Sequence, residues 1–421
     1  RKQPFTAIAL LDSAEYKLGR IEELSDLKRQ LLVEVGLYDK AIAESNAMIA
    51  EYPWSPGNYR ILASLYARTN KDSLALSAYN QALAIDSTDI ETLSSLAAFY
   101  RKKSDVSNFF AATRKMIASD DMDLQAKLSL VNELKSNRAF YQDNFFQVRD
   151  LISLLLIKYP TNYEVIDLYG QTIIASSGAE QAAEFYKSHL KDKDVPVSIF
   201  NTVLDMETYL KRPDSVAKYN ALALERFPHE TELYLRQGGS SMYMEDYPKA
   251  MESFKAAYKH AATDSLRSAT LVMIGEIYHR QGNDKKCFQS YDKALRLDPN
   301  NAVALNNYSY FLATTGPDGK DLDKSVEMAI KATTLSPGNA TYLDTYAWAL
   351  FKAGRLPEAK KVMQQAVSLD TTDSSELMIH YGDILYALKE YFMASIYWNK
   401  ALERDHDKAE IEQRLKLVES K

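Results

Sequence analysis

Small and apolar residues recur along the chain inside paired amphipathic stretches. Leu297-Asp298-Pro299-Asn300-Asn301 closes one helical pattern and Leu335-Ser336-Pro337-Gly338-Asn339 closes the next. Twelve residues before each proline stand Cys287 and Ser325, each in the middle of such a stretch. Extended both ways, the ruler finds small or apolar residues at 7, 41, 75, 109, 148, 182, 216, 250, 287, 325, 359 and 394. The steps are 34, 34, 34, 39, 34, 34, 34, 37, 38, 34 and 35 residues. A period this persistent predicts an all-α repeat architecture, in which a two-helix unit cannot bury both its faces alone and is completed by its neighbours.

Individual units carry a motif. Tyr59, Leu62, Ala63 and Tyr66, then Ala75, Tyr79 and Ala82, place large, Leu, small and Tyr residues in a first helix and small, aromatic and small ones in a second. Leu93, Leu96, Ala97 and Tyr100 repeat the first half, Tyr247, Ala250, Phe254 and Ala257 the second, and Gly275, Tyr278, Gly282, Tyr291 and Ala294 both. Two antiparallel helices approach closely only where small side chains face each other, and aromatics fill the gaps beside them. On these residues the chain resembles the tetratricopeptide repeat (TPR) family over nearly its whole length. Asn306-Asn307-Tyr308, Leu343 to Trp348 and Tyr381-Gly382-Asp383 resemble TPR proteins of bacteria such as Bacteroidetes. The resemblance implies a right-handed superhelical solenoid of about eleven helix-turn-helix repeats. Residues 1–20 read as the second helix of a partial N-terminal repeat, 21–405 as the tandem array and 406–421 as a C-terminal capping helix.

Three longer steps interrupt the ruler. Their extra residues are expected near 138–143, 262–266 and 316–320, outside regular paired helices. At Gly316-Pro317-Asp318-Gly319-Lys320, two glycines and a proline specify a turn. This segment lacks the GxxxxGK[ST] spacing of a phosphate loop and follows a helix, which argues against nucleotide binding.

Composition narrows the function. Hydrophobic residues make up 46% of the 421, ample for a core, and many of the 28 tyrosines fall at motif positions. A net charge of −6 without a long basic run argues against a nucleic-acid backbone as partner. The single cysteine, Cys287, occupies a small-residue slot, which reads as a buried structural thiol. The longest apolar run, Leu151 to Ile157, is too short to span a bilayer. The sequence opens on Arg1 rather than Met, which leaves room for a leader or lipid anchor upstream of residue 1. The bacterial resemblance implies a periplasmic or outer-membrane lipoprotein, with the cytoplasm as the alternative.

No catalytic constellation is legible. The histidines at 189, 229, 260, 279, 380 and 406 form no HExxH spacing, GxSxG is absent, and one cysteine rules out a cysteine-rich zinc site. The chain is therefore expected to lack catalytic residues, cofactor and metal, and to bind a protein or peptide. In the TPR family the first helix of each repeat, helix A, lines the concave surface. Transferred residue by residue, that geometry nominates Glu276 and His279, Asn306 and Tyr310, Asp344 and Trp348, and Asp383 and Tyr386 as partner-binding positions. Asn306 and Tyr310, like Asp344 and Trp348, are four residues apart and share a helical face. Trp348 and Tyr310 either meet a partner as exposed aromatics or pack on a neighbouring helix B. The basic residues of a carboxylate clamp for chaperone tails are missing around Asn306, so a basic or neutral segment fits better. The expected role is a non-catalytic scaffold or adaptor. The alternative is a SusD-like glycan-binding lipoprotein, whose long binding loops the three- to five-residue insertions do not match.

Overall fold

The computed structural model describes residues 3–315, 320–404 and 408–419, which form twenty-five helices and no strand. They are α1 (Pro4–Leu18), α2 (Glu22–Glu34), α3 (Tyr38–Glu51), α4 (Pro56–Arg68), α5 (Asp72–Ile85), α6 (Ile90–Lys102), α7 (Val106–Ala118), α8 (Leu124–Ser136), α9 (Arg138–Asp143), α10 (Phe145–Lys158), α11 (Tyr163–Ser177), α12 (Ala179–His189), α13 (Val197–Tyr209), α14 (Pro213–Arg226), α15 (Thr231–Tyr243), α16 (Tyr247–His260), α17 (Asp264–Arg280), α18 (Asp284–Leu297), α19 (Ala302–Thr315), α20 (Lys320–Leu335), α21 (Ala340–Lys352), α22 (Leu356–Leu369), α23 (Ser375–Ala387), α24 (Tyr391–Leu402) and α25 (Lys408–Glu419). The chain divides into two compact units, residues 1–202 and 203–421.

Within each unit, neighbouring helices pair as the ruler requires. In the first, α4 packs on α5 and α6 on α7; in the second, α15 packs on α16, α17 on α18, α21 on α22 and α23 on α24. Ala41, Ala75, Ala182, Ala250 and Ala359 all have no exposed surface, so the ladder positions are where paired helices meet. Cys287 is buried on the same ladder. At Gly382 the approach leaves no room for a side chain, because a Cβ there would run into the Trp398 indole.

Local chemistry sets the helix ends. Asp89, Asp105, Asp123, Asn162, Asn283 and Asn339 cap helices by accepting a backbone N–H two or three residues into the first turn. Many helix-A ends close through one residue of positive φ, among them Gly36, Asn70, Ser104, Glu245, Gly282 and Lys389. The N–H that follows reaches back five residues, as in Lys71 to Tyr66 at 2.9 Å and Asp246 to Ser241 at 2.8 Å.

One expectation about the insertions holds and one changes. Residues 138–143 form the short helix α9, capped by Asn137, whose Phe140 stacks on Phe110 with ring centroids 6.0 Å apart. Residues 264–266 are not a loop: Thr263 caps them through the Leu266 N–H, and they lengthen α17 to 17 residues. Of the turn expected at Gly316–Lys320, the first four residues lie outside the described ones, as does His406; Lys320 opens α20.

α25 seats Ile411, almost wholly buried, against the second unit, and its Arg414 grips Asp383 at 2.9 and 3.2 Å.

Candidate functional site

The nominated residues of the second unit lie on α17, α19, α21 and α23, the first helices of successive pairs. Turn spacing puts Asp344 and Trp348 on one face of α21, and α23 brings His380 against both. The His380 Nδ1 lies 3.0 and 3.1 Å from the two Asp344 carboxylate oxygens, and its ring stacks on Trp348 at 4.0 Å with planes 20° apart. The Lys352 ammonium, one turn after Trp348, sits 4.7 Å from the same indole. Tyr310 of α19 donates its hydroxyl to Glu376 of α23 at 3.0 Å, 66 residues away in sequence. The structure thus gathers Tyr310, Asp344 and Trp348 with His380, Glu376 and Lys352.

Burial alone would lower the His380 pKa. The adjacent Asp344 carboxylate, with Glu376 and Asp383 adding to it, reverses this and holds it above the ordinary histidine value. Burial, and then the Glu376 charge, push the Tyr310 phenol up.

Trp348 is only 8% exposed, which matches the packed alternative, although the helix it packs against is α23 and not a helix B. His380 and Lys352 cover its ring. Its indole N–H, however, has no hydrogen-bond partner, and neither does the side-chain oxygen of buried Asn306, whose amide donates to Asn307 at 3.1 Å.

The other nominated residues do not join this cluster. Asp383 is consumed within the fold, accepting from the Trp398 indole at 3.0 Å as well as from Arg414. Tyr386 packs on Trp398 and Tyr391. Glu276 pairs with Arg280 at 3.0 Å, and His279 stacks on Phe311 at 4.0 Å.

Sequence reasoning missed His380 and Glu376, which follow the family's groove positions less obviously, and Lys352. Outside this cluster, Tyr209 and Tyr243 are 78% and 91% exposed at the ends of α13 and α15. They stand 34 residues apart, one repeat. In the first unit the corresponding helices carry polar side chains that bond one another. Arg60 pairs with Glu91, Arg101 with Glu133 at 3.3 Å, Gln125 with Glu164 at 3.3 Å and Lys135 with Gln171 at 2.9 Å. A hollow of about 410 Å³ between α8 and α11 is lined by several of these groups.

A family model described as tetratricopeptide repeat matches residues 268–301, which cover most of α17 and all of α18. The photosystem I assembly protein Ycf3 of Synechococcus sp. (strain CC9605) is 30% identical over 129 residues, spanning 28% of this chain and 73% of that protein. The chain belongs to the tetratricopeptide repeat family. Ycf3 of Prochlorococcus marinus (strain NATL1A) is 26% identical over 152 residues, 34% of this TPR chain and 86% of the relative. In fold, the TPR chain is similar to the crystal structure of the APC/C hetero-tetramer Cut9-Hcn1, with a TM-score of 0.50 and 12% identity over 99% of this chain and 93% of that one. TPR folds serve as protein-interaction scaffolds and are generally non-catalytic. Among the described residues no helix is long and apolar enough to cross a membrane.

Proposed function

We propose that this TPR protein is a non-catalytic scaffold that holds a protein or peptide segment against the α19, α21 and α23 helices of its second unit. One observation carries the reading: the Trp348 indole N–H and the Asn306 side-chain oxygen are buried without a partner. A buried polar group left unpaired costs about 1–3 kcal/mol; both atoms are shielded from solvent, so a segment that satisfies them displaces the side chains that cover them. One is a donor and the other an acceptor. An extended segment offers both complements in every peptide group, its carbonyl for Trp348 and its N–H for Asn306. Tyr310 and Glu376 form the accessible rim beside them, and Glu376 with Asp344 favours a neutral or basic segment over an acidic one.

Substituting Trp348→Phe tests this, because Phe keeps a six-membered ring to stack on His380 and loses the pyrrole ring with its N–H donor. Affinity capture followed by mass spectrometry should recover less partner with Trp348→Phe than with the native chain, both compared as folded protein below their melting transitions, because the smaller ring also leaves a void at this buried position. Equal partner recovery from the two proteins would refute the role given to the indole.

A further inference from the structure

We propose that His229 and His260 form a binding site for a divalent transition-metal ion of the zinc, copper and nickel class. His229 lies in the turn between α14 and α15, and His260 is the last residue of α16, so alternate turns of the second unit supply one ligand each. Their Nδ1 atoms stand 3.3 Å apart, with ring centroids at 4.9 Å and planes inclined by 48°. Zinc binds imidazole nitrogen at about 2.0–2.1 Å, and two such bonds at a tetrahedral angle span about 3.3–3.4 Å. The two nitrogens already sit at the edge length of a tetrahedral site.

The arrangement is supported from behind. The Tyr234 ring of α15 stacks on His260 at 5.7 Å with planes 11° apart, and its hydroxyl donates to the Pro228 carbonyl at 3.0 Å. One side chain therefore fixes the ring of one ligand and the backbone that carries the other. Sequence spacing could not show the pair, because 31 residues separate its members. Among the described residues no group of three or more His, Cys, Asp or Glu could hold a metal, so water fills the remaining positions on the exposed side of His229 and the ion exchanges readily.

Without metal, a neutral pair shares one proton between the two Nδ1 atoms. On binding, that proton moves through solvent to the Nε2 of the same ring, both rings present Nδ1 lone pairs, and no net proton is released. Copper binds more tightly than zinc or nickel at such nitrogen ligands. A bound ion ties the turn before α15 to the end of α16 and stabilises the folded state by mass action.

The test is calorimetric titration of the untagged chain with zinc chloride and with copper chloride at neutral pH, alongside the visible spectrum of a cobalt(II) titration. Expected are one saturable site, copper tighter than zinc, intense tetrahedral-type cobalt bands and a zinc-dependent rise in melting temperature. His229→Gln and His260→Gln should each weaken binding by about tenfold or more, at least what loss of a supporting hydrogen bond alone costs a metal site. His279→Gln, remote from the pair in sequence, should leave the zinc and copper affinities unchanged whatever it does to stability. Absence of a saturable site in the native chain, or equal binding by the native chain and both ligand variants, would overturn the assignment.

Discussion

Gly238 and Gly239 are neighbours in α15, yet alanine should act on them with opposite signs. A Cβ at Gly238 would lie 2.5 Å from Cε1 and 2.7 Å from Cδ1 and Cζ of Phe254, a ring 1% exposed in the partner helix α16. A Cβ at Gly239 would meet no atom within 4 Å. Both substitutions gain the same helix propensity, about 0.8–1.0 kcal/mol for Ala over Gly in a helix interior. Overpacking a buried contact costs about 1–3 kcal/mol, and Phe254 has nowhere to move without opening the pair. Gly239→Ala should therefore stabilise by somewhat under about 1 kcal/mol. Gly238→Ala should be less stable than Gly239→Ala by about 1–3 kcal/mol, the contact term alone. Urea denaturation of the two variants and the native chain measures this, and hydrogen exchange of the α15 and α16 amides localises the change. If Gly238→Ala proves as stabilising as Gly239→Ala, the two helices do not meet at that face and the pairing register is wrong.

Further outcomes follow from the same contacts. Trp398 is buried against Gly382 and bonded to Asp383, so Trp398→Ala should destabilise by about 3–5 kcal/mol in denaturant titrations. The raised His380 pKa means that its ion pair with Asp344 contributes stability fully below the ordinary histidine value and loses it as pH rises through the folded one. An NMR titration should place His380 above pH ~6.5, and His380→Gln should flatten the fall in stability on the alkaline side; a midpoint at or below the unperturbed value would contradict the pairing. Burial, with Asp284 and Glu276 adding to it, pushes the Cys287 thiol up to about 12, so iodoacetamide should leave it unmodified in the native chain and alkylate it only after unfolding.

The period was legible because it is set by contacts inside one pair of helices. An alanine at 41, 75 or 359 meets its partner within the same repeat, and that need is written as local sequence. Capping residues such as Asp105 and Asn339 are equally local. Contacts between repeats were not legible. His380 reaches Asp344 across 36 residues, and no local pattern marks which of six histidines would do so. Trp348 read as a groove aromatic because its helix position is right, but His380 and Lys352 cover it. Asp383 sat at a groove position too, until Arg414 of α25 and the Trp398 indole claimed its carboxylate. Arg29 shows the converse. It is 3% exposed, and its guanidinium bonds Asp26 and, at 3.1 Å, Asn58 of α4.

The most direct test of the protein-binding account is hydrogen exchange of the full chain, alone and with a partner recovered by affinity capture. Segment binding at the proposed wall predicts added protection in α19, α21 and α23, strongest around Asn306, Tyr310 and Trp348, with α20, α22 and α24 unchanged. Protection confined to those second helices, or to residues 1–202, would contradict it.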